Sequence, residues 1–574
     1  MIGNLPPASI LICGALLLPL LRGRVQQAFL LLLPVLGLAH LAGLPNGISW
    51  QIDCFSWELV CVRIDELSRL FGYLFHIAVF LGLLFTLNER DTTQNMAALV
   101  YAGSAVGAVC AGDLLTLFVF WELLAVSSVF LIWCRRSERS ARCGLRYLIV
   151  QVGSGVLLLA GIAVHVGQGG SVIFDKMALD GLAPGLIFLA FGIKCAFPLF
   201  HNWLVDAYPE ATFGGTVFLS AFTTKVAVYA LARGFPGAEI EIMGTNVRVL
   251  VYIGAAMTAF PIFYAVIEND LRRVLAYSMI NQIGFMVCGI GIGSELAVNG
   301  AVSHAFNDVL FKGLLFMSLG AVLYRTGKIN GSDLGGLYKS MPITTGLCMV
   351  GAASISAFPL FSGFVSKSMV MQAALEADYF GVWLILLFAS AGVFHHAGIK
   401  IPFFAFFAHD SGIRCKEAPR NMLLAMGIAA GLCVFNGCFP NVWLYPLLPG
   451  EVEYDPYTST HVISQLQILL FSALAFAWLK LSGLYPPELR SVNLDTDWTY
   501  RRALPALIAI GGQAGTHARQ AVAGRLQVLG QRLLTEVRRV HGPRGVFART
   551  WSVGAVLTWS ALLLATYLLL YYLS

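Results

Sequence analysis

Long apolar segments follow one another along nearly the whole 574-residue chain. A helix needs about 20 mostly apolar residues to cross the hydrocarbon core of a bilayer, and sixteen segments approach that length. Only 12% of the residues are charged, about half of the share in soluble globular proteins. The sequence therefore predicts an all-α polytopic membrane protein with about 16 transmembrane helices, and not a series of soluble domains.

The predicted helices are distributed evenly, and their boundaries are defined to within several residues. They span residues 7–21, 27–44, 69–87, 96–112, 113–133, 145–166, 183–203, 212–232, 247–267, 274–292, 296–324, 342–372, 379–407, 421–441, 463–485 and 551–573.

Lysine and arginine are distributed unequally between the two sets of loops. Most of the basic loop residues follow odd-numbered helices, as Arg135, Arg272, Lys328 and Arg414 do. Cytoplasmic loops of membrane proteins carry the excess of Lys and Arg. Odd-numbered loops are therefore predicted to face the cytoplasm, and both termini the outer side of a bacterial cytoplasmic (inner) membrane.

Residues 488–550 differ from the rest of the chain because arginines, from Arg490 to Arg549, outnumber acidic residues. Between Ala518 and Val540, apolar residues recur at steps of three and four, while arginines fall on another face. This pattern predicts an amphipathic helix with a basic side. Two roles are open for this cytoplasmic surface helix: it rests on anionic lipid head groups, or it lies as a strut across neighbouring helices or a partner subunit.

Five lysines lie well inside the predicted membrane helices. A charged residue at the centre of a membrane helix costs about 2.5–3.5 kcal/mol even on a lenient scale, so these amines are expected to be hydrated, paired or neutral. They are Lys194, Lys225, Lys312, Lys367 and Lys400.

Few acidic residues are available to pair with these lysines. Glu122 lies in the middle of the apolar segment FVFWELLAVSSVFLIW. His304, Asp308 and Lys312 are spaced by four residues, and so they share one face of a helix. One interpretation is a set of internal salt bridges that fix helix packing. The other is a proton relay, in which a buried amine gains and loses its proton as its acidic partner moves.

The pentapeptide AFPLF occurs twice, at 196–200 and 357–361. Pro198 and Pro359 are expected to break their helices, because proline removes a backbone hydrogen bond and clashes with the preceding turn. Broken helices in the two halves of a transporter mark its ion site. These breaks fall in the seventh and twelfth predicted helices, which cross the membrane in opposite senses, as expected for an inverted pair.

Other residues that often mark functional sites are interpreted as structural. The twelve cysteines show no metal-ligand spacing and are expected to be small core residues. His201, His395 and His396 are individually expected to pack in the core or to lie in loops. Because no phosphate-binding, nucleophile-elbow or metalloprotease motif occurs, and no quinone, flavin or metal signature either, we expect no cofactor, no nucleic acid partner and no covalent chemistry of the chain's own.

Five motifs, in the same order along the chain, resemble the central signature of a known family. They are FVFWELL, GIKCAFPLFHNWLVDAYPEAT with the following LSAFTTKVAVYALAR, RRVLAYSMINQIGFM, SHAFNDVLFKGLLF and SGFVSK. The family is that of the antiporter-like subunits, which comprise the D subunit of Mrp-type cation/proton antiporters and homologous proton-pumping subunits of respiratory complex I and membrane-bound hydrogenases. The resemblance covers roughly residues 60–410, and the Mrp-type D subunit is the best match.

The resemblance implies two inverted five-helix repeats, with broken helices 7 and 12. The resulting division has helices 1–3 in 1–95, the first repeat (helices 4–8) in 96–233, the second repeat (helices 9–13) in 247–407, helices 14–15 in 421–485, the basic surface helix in 488–550 and the last transmembrane helix in 551–574.

The resemblance also implies roles for individual residues. Glu122 is expected to pair with Lys194 of the broken seventh helix, and Lys225 is expected to be the bridging lysine of the eighth. His304 and Lys312 are expected to be the central histidine and lysine of the relay.

In the second half, Lys367 is expected to be the ionisable residue of the broken twelfth helix, whereas no role carries over to Lys400. Two positions depart from the family pattern. Residues 204–207, LVDA, stand where many relatives have a proline-bearing LPDA. Asp308 stands where several have a second histidine, and it is expected to hold Lys312 in its protonated form.

Together these features predict a proton-translocating subunit of a multisubunit membrane complex, which best fits a monovalent cation (Na⁺ or K⁺)/H⁺ antiporter. The alternative is a proton-pumping or proton-driven module of a complex I-like, hydrogenase or inorganic-carbon uptake complex. A structural scaffold that only docks partners is the rival class. The expected partners are other membrane subunits, the lipid bilayer, protons and Na⁺ or K⁺.

Overall fold

Helices make up nearly all of the regular structure, as the apolar segments predict. The computed structural model describes residues 5–54, 57–489 and 493–573. The contacts divide the chain into two units, Met1–Asn493 and Leu494–Ser574.

The first unit contains the following helices among its described residues: α1 (Pro7–Leu17), α2 (Gly23–Gly43), α3 (Glu66–Thr86), α4 (Thr92–Cys110), α5 (Leu114–Trp133), α6 (Glu138–Gly167), α7 (Leu182–Lys194), α8 (Asn202–Ala207), α9 (Gly215–Ala221), α10 (Thr223–Gly234), α11 (Val249–Ile267), α12 (Leu271–Ile292), α13 (Glu295–Thr326), α14 (Pro342–Ile355), α15 (Ser362–Glu376), α16 (Phe380–Val393), α17 (Lys400–Pro402), α18 (Arg420–Cys438), α19 (Pro440–Trp443) and α20 (Ser459–Leu481). Two π-helical segments, Phe394–Ile399 and Phe403–Phe407, flank α17.

Two antiparallel β-hairpins connect helices of the first unit. Strand β1 (Gly47–Cys54) pairs with β2 (Trp57–Ile64), and β3 (Ile240–Ile242) pairs with β4 (Thr245–Val247). Neither hairpin was expected from the sequence, which was interpreted as helical throughout.

The helices confirm a multi-span membrane protein. Among the described residues, twelve helices are long and apolar enough to cross a bilayer, and three shorter apolar helices, α1, α7 and α14, accompany them. The whole apolar stretch of α12 and 94% of that of α13 are buried inside the protein, so these two helices form its centre. The number of sixteen crossings remains a prediction, because helices as short as α7 and α14 do not cross a bilayer alone.

Polar side chains start many of these helices. Asp91, Asp113, Ser137, Asp270 and Ser294 each accept a hydrogen bond from a backbone N–H of the first turn of α4, α5, α6, α12 and α13. Such caps satisfy N–H groups that have no partner inside the helix, and each contributes about 0.5–2 kcal/mol. The boundaries between apolar segments are therefore fixed by short polar residues that the hydropathy pattern alone does not locate.

The two AFPLF pentapeptides share one backbone conformation. Each contains two non-glycine residues in the left-handed region, and the same four backbone hydrogen bonds surround each copy. Left-handed φ angles occur at Ala196 (59°), Leu199 (73°), Ala357 (58°) and Leu360 (74°). Because this conformation is costly for residues with a Cβ atom, its repetition indicates that both breaks are imposed by their surroundings.

A second correspondence links the same two regions. Asp113 bridges Ile173, and Asp270 bridges Asn330, so that each member of the second pair follows its counterpart by the same number of residues. The helices that precede the two aspartates, α4 and α11, also have equal lengths of 19 residues. These local matches support an internal repeat, whose inverted orientation in the membrane remains a prediction.

The second unit consists of a π-helical turn at Thr499–Ala503, α21 (Leu504–His541) and α22 (Val553–Leu573). Helix α21 has 38 residues, a length of about 57 Å at 1.5 Å per residue, and it begins well before the amphipathic pattern at Ala518. Its apolar residues, such as Leu526 and Leu533, are exposed within this unit. Arg490, the first arginine of the basic region, lies outside the described residues.

Candidate functional site

Seven ionisable side chains lie at most 1% exposed inside the first unit. The transfer of an unpaired charge into such surroundings is prohibitively costly, so each needs hydrogen bonds or an opposite charge. They are Lys194, Lys225, His304, Asp308, Lys312, Lys367 and Lys400. These are the residues singled out in the sequence, together with the partly buried Glu122.

Lys194 ends α7 immediately before the first break, which contains Pro198. Its Nζ donates a hydrogen bond of 2.6 Å to the Trp121 carbonyl and lies 4.3 Å from the centre of the Trp121 ring. The neighbouring Glu122 acts on this amine electrostatically, but the described residues include no direct ion pair between the two. The predicted pairing is therefore electrostatic in this conformation, and its role in transport stays a prediction.

The Glu122 carboxylate occupies space left free by a glycine on the next helix. Its Oε1 is buried and accepts no hydrogen bond from a described residue. A Cβ atom on Gly155 of α6 would collide with this oxygen. The position of the carboxylate therefore depends on the missing side chain of Gly155.

Lys225 and Asp308 form the central ion pair. Lys225 lies on α10 and Asp308 on α13, and Nζ and Oδ2 are 2.6 Å apart with both side chains fully buried. Nζ also donates to the Ser220 carbonyl at 3.1 Å. Asp308 was expected to act on Lys312 one turn along its own helix, but in the structure its direct contact is with Lys225 of another helix.

Lys312 instead donates a hydrogen bond of 2.8 Å to the Ser278 hydroxyl of α12. The i, i+4, i+8 spacing does place His304, Asp308 and Lys312 on the same buried helix, α13. The polar line predicted from the sequence therefore exists, although its members take partners from neighbouring helices.

His304 joins three helices through its two ring nitrogens. Nδ1 lies 2.9 Å from the Ser366 hydroxyl of α15, and Nε2 lies 3.2 Å from Oε1 of Gln282 on α12. Gln282 in turn donates to Asn281 Oδ1 at 2.6 Å. This network is fully buried, which is the environment in which polar networks fix side-chain positions most strongly.

Sequence reasoning missed the hydrogen-bonding partners of these groups. Ser278, Asn281, Gln282 and Ser366 lie within otherwise apolar membrane segments, which is the signal that could have found them. Uncharged polar residues are cheaper to bury than charges, so their presence in a membrane helix constrains function less.

Lys367 follows the second break, which contains Pro359. Its Nζ donates a hydrogen bond of 2.7 Å to the carbonyl of Ile355, the last residue of α14, and lies 5.2 Å from the Phe285 ring centre. The carbonyl groups at a helix C-terminus lack partners within the helix and carry partial negative charge. The break therefore supplies a backbone acceptor for the lysine, as expected for a discontinuous helix at an ion site.

Lys400 lies apart from these groups, at the C-terminal end of α11. Its Nζ donates to the carbonyls of Ala265, Val266 and Glu268 at 3.3, 2.6 and 2.7 Å and lies 3.0 Å from Oε1 of Glu488. The partner Glu488 was not anticipated, because it follows the last helix of the first unit and is distant in sequence.

Comparison with known proteins identifies the family. A family model for the transmembrane region of NADH:quinone oxidoreductase and Mrp antiporter subunits matches residues 111–394, which include the described polar line up to Lys367. One of the Na⁺/H⁺ antiporter subunits of Alkalihalophilus pseudofirmus is 29% identical over 442 residues, which are 68% of this chain and 54% of that protein. The chain thus spans about half the length of this relative.

Two further proteins agree with this assignment. The N subunit of the NADH-quinone oxidoreductase of Desulforudis audaxviator is 32% identical over 397 residues, which are 64% of this chain and 77% of that protein. A chain of the Mrp complex from Dietzia sp. DQ12-45-1b has the same fold, with a TM-score of 0.75 at 23% identity over 92% of this chain and 62% of that chain. The chain belongs to the family of membrane subunits shared by NADH:quinone oxidoreductase and Mrp antiporters.

Proposed function

We propose that the chain translocates protons as an antiporter-like subunit of a multisubunit membrane complex, and that this complex is a monovalent cation (Na⁺ or K⁺)/H⁺ antiporter. The observation that carries the proposal is the buried Lys225–Asp308 pair, 2.6 Å long, with further buried lysines on both sides of it. A buried ion pair rarely stabilises a protein more than well-packed apolar residues do. A membrane protein that keeps several such charges therefore has a use for them beyond packing.

Asp308 has two lysines within its reach. It contacts Lys225 directly, and Lys312 lies one turn further along α13. A rotation of the Asp308 side chain would transfer its negative charge from Lys225 to Lys312. The lysine that loses its counter-charge in low-dielectric surroundings releases its proton, and the other lysine is able to hold one. Asp308 thereby couples the discharge of one site to the charging of the next.

The two ends of the line have corresponding roles. At one end, Glu122 moves toward or away from Lys194 and so controls whether that amine holds a proton. At the other end, protons pass from Lys312 through His304 and the hydroxyl and amide groups around it to Lys367. The proline-broken helices at Pro198 and Pro359 provide backbone acceptors and room for hydration beside the two terminal lysines.

The proposed organisation keeps the six-part division given above, with repeats at 96–233 and 247–407. Both termini lie on the outer side of a bacterial inner membrane in this proposal, as the distribution of basic loop residues indicates. The partners are the other membrane subunits of the complex, by analogy with relatives that are named as subunits of Na⁺/H⁺ antiporters and of NADH-quinone oxidoreductase.

The Glu122→Gln variant tests the proposal. The substitution keeps the shape of the side chain but removes its charge, so proton flux into everted membrane vesicles that contain the complete complex should fall at least tenfold. The amount of assembled complex in the membrane should stay the same. Parental flux in this variant would reject the relay.

The same vesicles identify the complex. Collapse of an imposed pH gradient on addition of NaCl or KCl supports cation/proton antiport. Flux that instead requires an electron donor or the substrate of a partner enzyme supports the alternative, a proton-pumping or proton-driven module of a complex I-like, hydrogenase or inorganic-carbon uptake complex. Subunits that purify with the tagged chain in mild detergent provide an independent identification.

A further inference from the structure

His396 is a buried histidine that the relay described above does not use. Its side chain is fully buried, and neither ring nitrogen makes a well-formed hydrogen bond to a described residue, although the Gly392 carbonyl lies within electrostatic reach. Buried ring nitrogens are almost always satisfied by protein or by water. An imidazole in this position is therefore suited to bind water or to exchange a proton through it.

The charges around His396 belong to two separate groups of the site. Lys312 of α13, Lys400 of α17 and the adjacent His395 all act on the ring electrostatically. Lys312 belongs to the central line, whereas Lys400 belongs to the group at the end of α11. His396 thus lies under the influence of both, and the described side chains offer no direct hydrogen bond between those two lysines.

The backbone around His396 is irregular. His396 lies in the π-helical segment Phe394–Ile399, and such wide turns inside helices occur frequently at functional sites. The segment packs against α11, α12, α14 and α20. A Cβ atom on Gly398 would collide with the Ser356 hydroxyl beside the second break, so the glycine allows the π-helical segment to approach the broken helix closely.

Beyond Lys400, two carboxylates lead to the edge of the helical bundle. Glu488 pairs with Lys400, and Glu268 accepts a hydrogen bond of 3.4 Å from the Asn493 side chain. Burial raises the pKa of the Glu268 and Glu488 carboxyls above its usual value, against the opposing charges of Arg273 and Lys400. Glu268 follows α11, in a loop predicted to face the cytoplasm.

We propose that His396 is a proton-carrying residue that connects Lys312 with the Lys400–Glu488 pair and so gives the second repeat a branch to the loop between α11 and α12. The inference rests on the proposed function. An imidazole accepts a proton at one ring nitrogen and releases one from the other. The branch needs no reaction besides proton exchange: Lys312 gives up a proton, His396 relays one, and the Lys400–Glu488 pair takes one up.

The test compares His396→Gln with His76→Gln in everted vesicles that contain the complete complex. His76 of α3 is a matched control, because it is also buried and its Nε2 also has no hydrogen-bonding partner among the described residues, but it takes no part in the relay. We expect His396→Gln to lower proton flux at least tenfold at pH 7 and His76→Gln to change it by less than twofold. Equal effects of the two variants would overturn the inference.

The dependence of flux on pH separates proton carriage from a structural role. Between about pH 6 and pH 8, the range in which an imidazole titrates, the residual flux of His396→Gln should lose the pH dependence that the parent protein shows. A profile of unchanged shape at a lower level would mean that His396 only supports packing, and this outcome rejects the proposal.

Glu488→Gln decides the question if His396→Gln does not assemble. We expect a loss of at least tenfold, because the branch loses its terminal carboxylate, while Glu451→Gln at an exposed acidic residue stays within twofold. Parental flux in Glu488→Gln would reject the branch. The proposed function is tested separately by Glu122→Gln: loss of flux there, with parental flux in His396→Gln, rejects the branch alone.

Discussion

At the scale of single residues, the atoms that Gly155 lacks determine where the Glu122 carboxylate lies. Any side chain at Gly155 would collide with Glu122 Oε1, whereas Gly153 on the same helix has open space around it. The two glycines therefore separate the effect of helix composition from the effect of the niche. A carboxylate that has to move in order to act needs a defined resting place.

Gly155→Ala should displace the Glu122 carboxylate and lower proton flux at least tenfold. Gly153→Ala, the control, should leave flux within twofold of the parent protein and stabilise the helix by up to about 1 kcal/mol, since alanine is the better helix former. Proton uptake by everted vesicles and thermal unfolding in detergent measure the two effects. Equal flux in both variants would contradict the role of the niche.

The Lys225–Asp308 pair leads to a prediction about stability. Asp308→Asn should lower the free energy of unfolding by about 3–5 kcal/mol, because it leaves a buried ammonium group without its counter-charge. The double variant Lys225→Met with Asp308→Leu removes both charges and should regain most of that loss, while proton flux stays abolished. Thermal unfolding of the purified complex checks this, and a double variant no more stable than the single one would contradict it.

The ionisable residues of the site could be predicted from the sequence, but their contacts could not. A charge inside a membrane helix is conspicuous, so all five lysines were identified. The partner of Asp308 was wrong because the spacing along α13 reports only neighbours on the same helix. Its actual contact, Lys225, comes from α10, and only the packing of the two helices brings them together.

At the scale of elements, the two broken helices show how a backbone conformation is held against local preference. Ala357 adopts a left-handed φ of 58°, which costs an L-residue about 1–2 kcal/mol. Proline in the sequence indicated that the helices break at these places. The left-handed residues on either side of each proline were not predicted, because neither alanine nor leucine favours that conformation.

Ala357→Gly should change the free energy of unfolding by less than about 0.5 kcal/mol, since relief of the left-handed strain offsets the loss of a buried methyl group. Ala353→Gly, in the regular part of α14, should destabilise the protein by about 1 kcal/mol. Thermal unfolding in detergent compares the two. An equal loss in both variants would show that the break at Ala357 carries no strain.

The start of α3 provides a pH-dependent contact. Burial raises the pKa of Asp65, but the Arg233 guanidinium, which donates hydrogen bonds of 2.7 and 2.6 Å to the carboxylate, lowers it by more, so that the net pKa lies below its usual value. An acid with a lowered pKa stabilises the fold above the pKa of unfolded aspartate, about 3.9. This contribution is lost as the pH falls through the lower folded value.

Asp65→Asn should therefore destabilise the protein at pH 7 by about 1 kcal/mol, roughly the value of a helix cap. The difference from the parent protein should shrink as the pH approaches 3. Melting temperatures measured across this range provide the test, and a constant difference at all pH values would contradict the ionic origin of the effect.

Hydropathy predicted the positions of the membrane helices well, since the requirement for about 20 apolar residues is strict. The hairpin of β1 and β2 was missed, although residues alternate between buried and less buried along the second half of β2. That alternation was available in the sequence as VCVRI. It was overlooked because neighbouring apolar helices dominate any average over a longer segment.

At the scale of the whole molecule, the orientation in the membrane is the largest prediction still to be tested. Met243, in the turn between β3 and β4, is fully exposed and is predicted to lie outside the cell. Lys328, after α13, is also exposed and is predicted to lie in the cytoplasm. The two positions are therefore suitable markers for opposite sides of the membrane.

A membrane-impermeant maleimide should label Met243→Cys in intact cells and Lys328→Cys only in everted vesicles. The parent protein, with its native cysteines, provides the background in each experiment. The physical reason is the excess of Lys and Arg in cytoplasmic loops. The reverse labelling pattern would invert the orientation while leaving the fold unchanged.

The two matching breaks also bear on the history of the chain. Their backbone shape is the same, yet Lys194 precedes its break and Lys367 follows the other. If both halves descend from one duplicated ancestral unit, the bend was retained while the charged side chain moved from one arm to the other. The shape of the main chain would then be the older inheritance, and the placement of its amines the later specialisation.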